Sequence, residues 1–238
     1  MPEAPKYNTK NYYAQEAQHY ADFADTSFSW EYIEKPAFDK HLAGLYTPTT
    51  RVLDLGCGSG RVVKHLISKG IQPSNIVGAD ISPEMLSLAR KHAPEVRFIE
   101  ADIAEVIPTD ETFDLVTCSL VIQHLDDRLL NKALQNIREK LTTDGILFYL
   151  VAHPVRVIHG NLRDYFNKGW REQQNAWGTT MDYYHRTVSD YLTCTLKAGF
   201  RITAVDEPQV IEEGKSNKSE YEKYTANPTR LVIKAVKQ

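Results

Sequence analysis

Apolar residues fall into two alternating rhythms between residues 51 and 152. Short continuous apolar runs at 51–56, 75–80, 96–99, 113–119 and 145–151 read as strands, the last apolar throughout as for a central strand covered on both faces. Between them, apolar positions recur at helical spacing. Val62, Val63, Leu66 and Ile67 share one face of a helix over 60–69, which Gly70 stops. Ser82 and Pro83 supply an N-cap and a first-turn proline for a helix reaching residue 91. Leu130, Leu134, Ile137 and Leu141 stripe a third helix over 127–141. Strands alternating with helices predict a mostly parallel sheet with right-handed crossovers.

Further on, Thr187 and Asp190 form a capping pair for a helix over 187–198, ended by Gly199. Residues 200–206 and 230–236 alternate as strands, which predicts an antiparallel hairpin at the sheet edge and seven strands in all. Three stretches break the rhythm. Residues 1–46 read as helical, with Tyr13, Tyr20, Phe23, Trp30 and Tyr32 among their apolar positions. Residues 153–186 form an insertion rich in aromatic residues and histidine, and residues 211–228 read as an exposed, mobile polar loop. The expected organisation is one domain: a helical cap (1–46), a core (47–152), a lid (153–186) and a C-terminal helix with a strand pair (187–238).

Composition narrows the class. A chain of 238 residues, 42% apolar and 25% charged, suits a soluble α/β domain with a substantial core. A net charge of −3 argues against a dedicated nucleic-acid binder. The longest strongly apolar stretch, 146–152, falls far short of the ~20 residues that span a bilayer. The first ten residues lack the apolar core of a signal peptide. Cys57, Cys118 and Cys194 are widely spaced, with no CxxC pair. They fit a reducing compartment, so the expected location is the cytoplasm.

The strongest chemical signal is the run from Asp54 through Gly56, Gly58 and Gly60, at a strand-to-helix junction. Glycines there let the backbone turn tightly and let a ligand approach the main chain. Asp80 ends the next strand, where a carboxylate can accept hydrogen bonds from an unphosphorylated ribose. The spacing G-x-G-x-G, with an acid at the strand end, departs from the dinucleotide fingerprint. A carboxylate beside a pyrophosphate repels it, whereas it suits a ligand carrying an ammonium group.

Together these residues resemble the first motif of the class I S-adenosylmethionine-dependent methyltransferases, and over residues 50–206 the chain is similar to their small "type 11" group. The resemblance implies a Rossmann-like fold and S-adenosylmethionine as cofactor. It implies cofactor contacts from Asp54, Gly56, Gly58, Gly60, Asp80, Ile81, Met85, Asp102, Ile103 and Ser119, and from the paired tyrosines Tyr13 and Tyr20.

The segment after strand four separates the subclasses. The amine-methylating nucleic-acid enzymes carry a Pro-Pro-aromatic run there, whereas this chain has Ser119-Leu120-Val121-Ile122. Cys118 has no neighbouring proline and reads as core, not as a cytosine-attacking thiolate; Asp126 and Asp127 read as helix caps, so no metal is expected. What remains is metal-independent transfer to an O, N or C atom of a small hydrophobic or aromatic acceptor. The alternatives are an RNA or protein methyltransferase, or a non-catalytic cofactor-binding subunit. Candidate bases are His124, His153 and His185. Candidate acceptor contacts are Tyr165, Trp170, Tyr183, Tyr184 and Arg186, within a lid that also carries Phe166 and Trp177. Arg156, Arg163 and Arg186 are candidates to bind an acidic substrate group, but read mainly as solvated surface cations. Tyr20 and Tyr184 are expected to matter more for turnover than for stability. The expected partners are a small-molecule acceptor, no membrane and no nucleic acid, with the chain a monomer or homodimer.

Overall fold

A computed structural model of the chain describes residues 8–175 and 178–238, so Trp177 lies outside the described residues. Its strands are β1 (Val52–Leu55), β2 (Ile76–Asp80), β3 (Arg97–Glu100), β4 (Phe113–Ser119), β5 (Leu141–Ala152), β6 (Gly169–Gln174), β7 (Thr180–His185), β8 (Phe200–Asp206) and β9 (Arg230–Lys237). Seven of them form one sheet in the order β3-β2-β1-β4-β5-β9-β8. The first five pair in parallel. β9 runs antiparallel to both β5 and β8, which is the predicted edge hairpin. β6 and β7 form a separate antiparallel hairpin.

The helices are α1 (Thr9–Thr26), α2 (Lys35–Leu42), α3 (Arg61–Ser68), α4 (Pro83–His92), α5 (Asp127–Lys140), α6 (Pro154–Val157), α7 (Val188–Lys197) and α8 (Lys218–Thr225). They cover both faces of the sheet. Successive strand residues point to opposite faces. Leu53 and Leu55 therefore pack with Leu134 and Ile137 of α5 and Tyr191 of α7. Val52 packs on the other side with Phe38 of α2, Val63 and Leu66 of α3, and Leu86 of α4. The sequence-level caps form as read: Ser82 accepts from the Met85 amide, Asp126 from the Leu129 amide, and Thr187 and Asp190 close a capping box. α1 lies across α4, joined through Ala17, Ala21, Met85 and Leu88, with Tyr13 and Tyr20 alongside.

Two expectations need correction. Residues 211–228 are largely exposed, as expected, but they are not a loop. They contain α8, whose Tyr224 is buried and stacks on Phe28 with ring centroids 5.4 Å apart. The Ile211 amide also donates to the Tyr32 carbonyl at 3.0 Å. Tyr224 and the Ile211 amide thus pin this charged segment to the N-terminal layer. The third helix ends at Lys140, and Leu141 begins β5 opposite Phe113, before a register shift in that pair. The apolar Leu141 belongs to the core in either role, so periodicity alone assigns it to the helix.

The chain leaves β1 for β2 and β3, then crosses to β4 on the other side. That reversal opens a crevice at the carboxyl ends of β1 and β4, where open α/β sheets hold their ligands.

Candidate cofactor and acceptor site

The glycine loop fills this crevice. Gly56, Gly58 and Gly60 have φ of +69°, +54° and +89°, in the left-handed region that favours glycine. At Gly56 a side chain is also sterically barred, because a Cβ would stand 2.1 Å from Cγ2 of Val121. The loop is tied to β2 by Asp80, which accepts from the Gly58 amide at 2.8 Å and from the Ser82 amide at 2.9 Å. Burial holds the Asp80 carboxyl above its ordinary range despite these donors.

Above the loop lies an elongated cavity of about 470 Å³, within the size range of cofactor sites. Gly56, Gly58, Asp80, Ile81 and Met85 form one stretch of its wall, and Asp102 and Ile103 another. Ser119, Leu120, Val121 and His124 supply the β4 end, and Tyr13, Tyr20 and Trp170 form the roof. The sequence reading missed Asn8 to Asn11, Leu120, Val121, Leu125, Asp126 and Leu129, which also line it. Leu120 carries the one signal that could have drawn notice, and it is conformational. A leucine at φ +59°, with its amide held by the Leu150 carbonyl at 2.7 Å, is strained at the edge of the cavity.

Several buried polar atoms at this site have no partner. Asp54 lies beneath the loop, not in the wall. Its Oδ1 accepts from Thr117 at 2.7 Å, but Oδ2 is buried and unpaired. Burial pushes its carboxyl up to about 7, with the Asp80 charge adding to the effect. Ser119 Oγ is likewise unpaired. His124 stands edge-on to Tyr183 and Tyr13, at centroid distances of 4.9 and 6.0 Å. Its Nδ1 faces the Asp182 carbonyl at 3.4 Å, which requires the proton on that nitrogen, and Nε2 is buried without a partner. Burial lowers this imidazole to about 4, so it is neutral at physiological pH.

The profile of a family described as "Methyltransferase domain" matches residues 52–145, the span that builds this crevice. An uncharacterised protein of Haemophilus influenzae is 26% identical over 231 residues, covering 87% of this chain and 88% of its own. A trans-aconitate 2-methyltransferase of Rhodopseudomonas palustris is 35% identical over 136 residues. That match covers 56% of this chain, which spans about half (51%) of the relative's length. A crystal structure from Listeria monocytogenes, assigned as an S-adenosylmethionine-dependent methyltransferase, superposes with a TM-score of 0.68 at 27% identity. It covers 86% of this chain and 98% of its own. The chain carries a methyltransferase domain, with the fold of the S-adenosylmethionine-dependent methyltransferases.

The geometry fits that cofactor. A cradle where a Cβ cannot stand and the unpaired hydroxyl of Ser119, a wall residue, are features a ligand with an amino group and hydroxyls would satisfy. Among the described residues, no three His, Cys, Asp or Glu side chains converge as metal ligands. No helix among them is long and apolar enough to cross a membrane.

A second, smaller cavity of about 50 Å³ adjoins the first and shares Tyr13, Tyr20 and Leu120 with it. Tyr183 and Arg156 line this inner cavity, so Arg156 is not the surface cation its sequence context implied. Several other predicted residues of the methyltransferase stand behind the walls. Gly60 packs against Ala89, where a Cβ would come within 3.6 Å. His153 has both ring nitrogens engaged, accepting from the Val155 amide at 3.2 Å and meeting Glu207 at 2.9 Å. His185 is fully buried, with Nε2 on the Tyr165 carbonyl at 2.9 Å. Arg186 is also fully buried: its Nε donates to Asp127 at 3.0 Å, and its guanidinium lies over the Tyr184 and Tyr191 rings. Tyr165 accepts from the Val188 amide, and Tyr184 packs edge-on to Trp170. His153, Tyr165, Tyr184, His185 and Arg186 therefore brace the β6–β7 hairpin and the strand edge and, like Gly60, do not form cavity wall. Arg163 is exposed, as read.

Proposed function

We propose that the methyltransferase transfers its methyl group, without a metal, to an O, N or C atom of a small hydrophobic or aromatic molecule. The observation that carries this reading is the pair of adjoining cavities that share Tyr13, Tyr20 and Leu120, the larger of them also lined by His124. When bound, S-adenosylmethionine supplies a methyl already activated by its sulfonium, so that an acceptor lone pair forms the new bond as the C–S pair passes to sulfur. The protein has to align the acceptor, exclude water and, where the nucleophile is protonated, receive its proton.

Asp80 is the ribose acceptor in this reading. Ile81, Met85, Asp102 and Ile103 hold the base, and the glycine loop with Asp54 receives the amino-acid end. Ser119 and Leu120 face the reacting centre. Tyr13, Tyr20, Trp170 and Tyr183 keep it poorly hydrated. His124, neutral and with Nε2 unpaired, can accept a hydrogen bond from the acceptor's nucleophile. Aromatic walls next to the cofactor cavity favour a planar or apolar acceptor.

The test is calorimetry with S-adenosylhomocysteine. Wild type is expected to bind. Asp80→Ala removes the acceptor for two backbone amides, each charge-assisted bond worth about 1.5–3 kcal/mol, and should weaken binding at least ~10-fold. A wild-type protein that binds no S-adenosylhomocysteine would falsify the reading.

A further inference from the structure

The inner cavity is unusual in charge. Its wall carries three arginines, Arg61, Arg156 and Arg230, and one carboxylate, Glu34. Glu34 is fully buried, and both its oxygens are committed. Oε1 accepts from Nε and Nη2 of Arg230 at 2.9 and 2.7 Å, and Oε2 accepts from Arg61 at 3.0 Å. Arg230 also donates to Ser29. Arg156 has no carboxylate within ion-pair distance among the described residues. Its contact is the Tyr224 ring, at 5.9 Å, near the outer limit of a useful cation–π distance. Burial and the charge of Arg230 both act against the Arg156 cation, yet an arginine stays protonated. The walls thus hold a net excess of two positive charges in a pocket rimmed by Phe23, Tyr183 and Tyr224.

A largely buried cation with no carboxylate partner is unfavourable. A fold retains it where a ligand completes the set. The position of the pocket says which ligand. The cofactor cavity lies over the ends of β1, β2 and β4. The arginine pocket lies over Ala152 at the end of β5 and Arg230 at the start of β9, which share one edge of the sheet because β9 is antiparallel. This is the acceptor half of the crevice, joined to the cofactor half at Tyr20 and Leu120. A volume of about 50 Å³ holds roughly three waters, enough for a carboxylate head and too little for a second ring system.

We propose that the acceptor carries a carboxylate, anchored in this pocket by Arg156 with Arg230 and Arg61, while its apolar body lies against Tyr13 and Tyr20. The proposal rests on the methyltransferase reading above and deepens it to a substrate class, a small aromatic or apolar acid. Arg156 is the specificity-determining residue, because Arg61 and Arg230 already share Glu34.

The full chain, saturated with S-adenosylhomocysteine, is titrated calorimetrically with benzoate and with its neutral counterpart benzamide. Benzoate should bind at least tenfold more tightly. Arg156→Met should abolish that preference while changing the S-adenosylhomocysteine affinity less than twofold, and Arg156→Lys should keep part of it. Arg156→Met should also melt higher than wild type without ligand, which a merely structural arginine would not allow. Equal binding of benzoate and benzamide by the wild type, or no binding of either, overturns the proposal. So does an Arg156→Met protein whose S-adenosylhomocysteine affinity falls as far as its benzoate affinity, since the pocket would then hold the cofactor's own carboxylate. A wild type that fails to bind S-adenosylhomocysteine removes the methyltransferase reading itself, a result distinct from both.

Discussion

Asp54 should make this protein lose stability as pH rises through neutrality, and the size of the effect follows from its burial. Its carboxyl is 1% exposed, has a single hydrogen bond from Thr117 and titrates at about 7 in the folded chain, against an ordinary aspartate value of 3.8. The folded state therefore holds the proton more tightly than the unfolded state. Stability from this group is fully present below pH 3.8 and is lost as pH climbs through 7. The interval is roughly three pH units, worth about 4 kcal/mol at ~1.4 kcal/mol per unit. Asp54→Asn is the perturbation, since asparagine has no charge to bury and can still accept from Thr117. Urea unfolding of both proteins at several pH values between 4 and 8.5 reads the difference, and other titrating groups cancel in it. The wild type should lose about 2–4 kcal/mol relative to Asp54→Asn across that range. Saturating S-adenosylhomocysteine, whose positive ammonium favours the ionised carboxylate beneath the loop, should reduce the difference. A ligand-free difference that stays constant within ~1 kcal/mol would refute the argument that Asp54 is ionised only at a cost.

Three further variants separate architecture from chemistry. Gly56→Ala adds a left-handed backbone cost of about 1–2 kcal/mol to an overpacking cost of about 1–3 kcal/mol against Val121; thermal melting should show a large drop, and Val121→Ala in the same chain should recover only the packing part. Tyr20→Ala opens the wall shared by both cavities and should lower kcat/KM at least ~10-fold with little change in Tm. Tyr184→Ala should do the reverse, costing about 3 kcal/mol of stability, because that ring is 5% exposed and packs on Trp170 and under Arg186. Full retention of stability in Tyr184→Ala would return this tyrosine to the acceptor site, where its sequence context placed it.

What the chain determines locally was legible in one dimension. The strand–helix alternation, the caps at Ser82, Asp126 and Thr187, and the positive-φ glycines of the loop each depend on residues a few positions apart. The edge strand β8 was legible because it keeps an alternating pattern, whereas β9, between β5 and β8, is buried nearly throughout, as a covered strand is. The β6–β7 hairpin was not, since its first strand is mostly polar and gains its order from packing. Tertiary structure alone decided how each polar or aromatic residue is used. His124, His153 and His185 look equivalent along the chain, yet only His124 reaches the cavity wall with a nitrogen to spare. Arg156 and Arg186 both read as surface cations. The fold buries Arg186 against Asp127 and brings Arg156 into a pocket with Arg230 and Arg61, which lie far from it in sequence. Local spacing fixes backbone conformation because its interactions span a few residues; whether a charge finds a partner depends on groups that only the folded chain brings together.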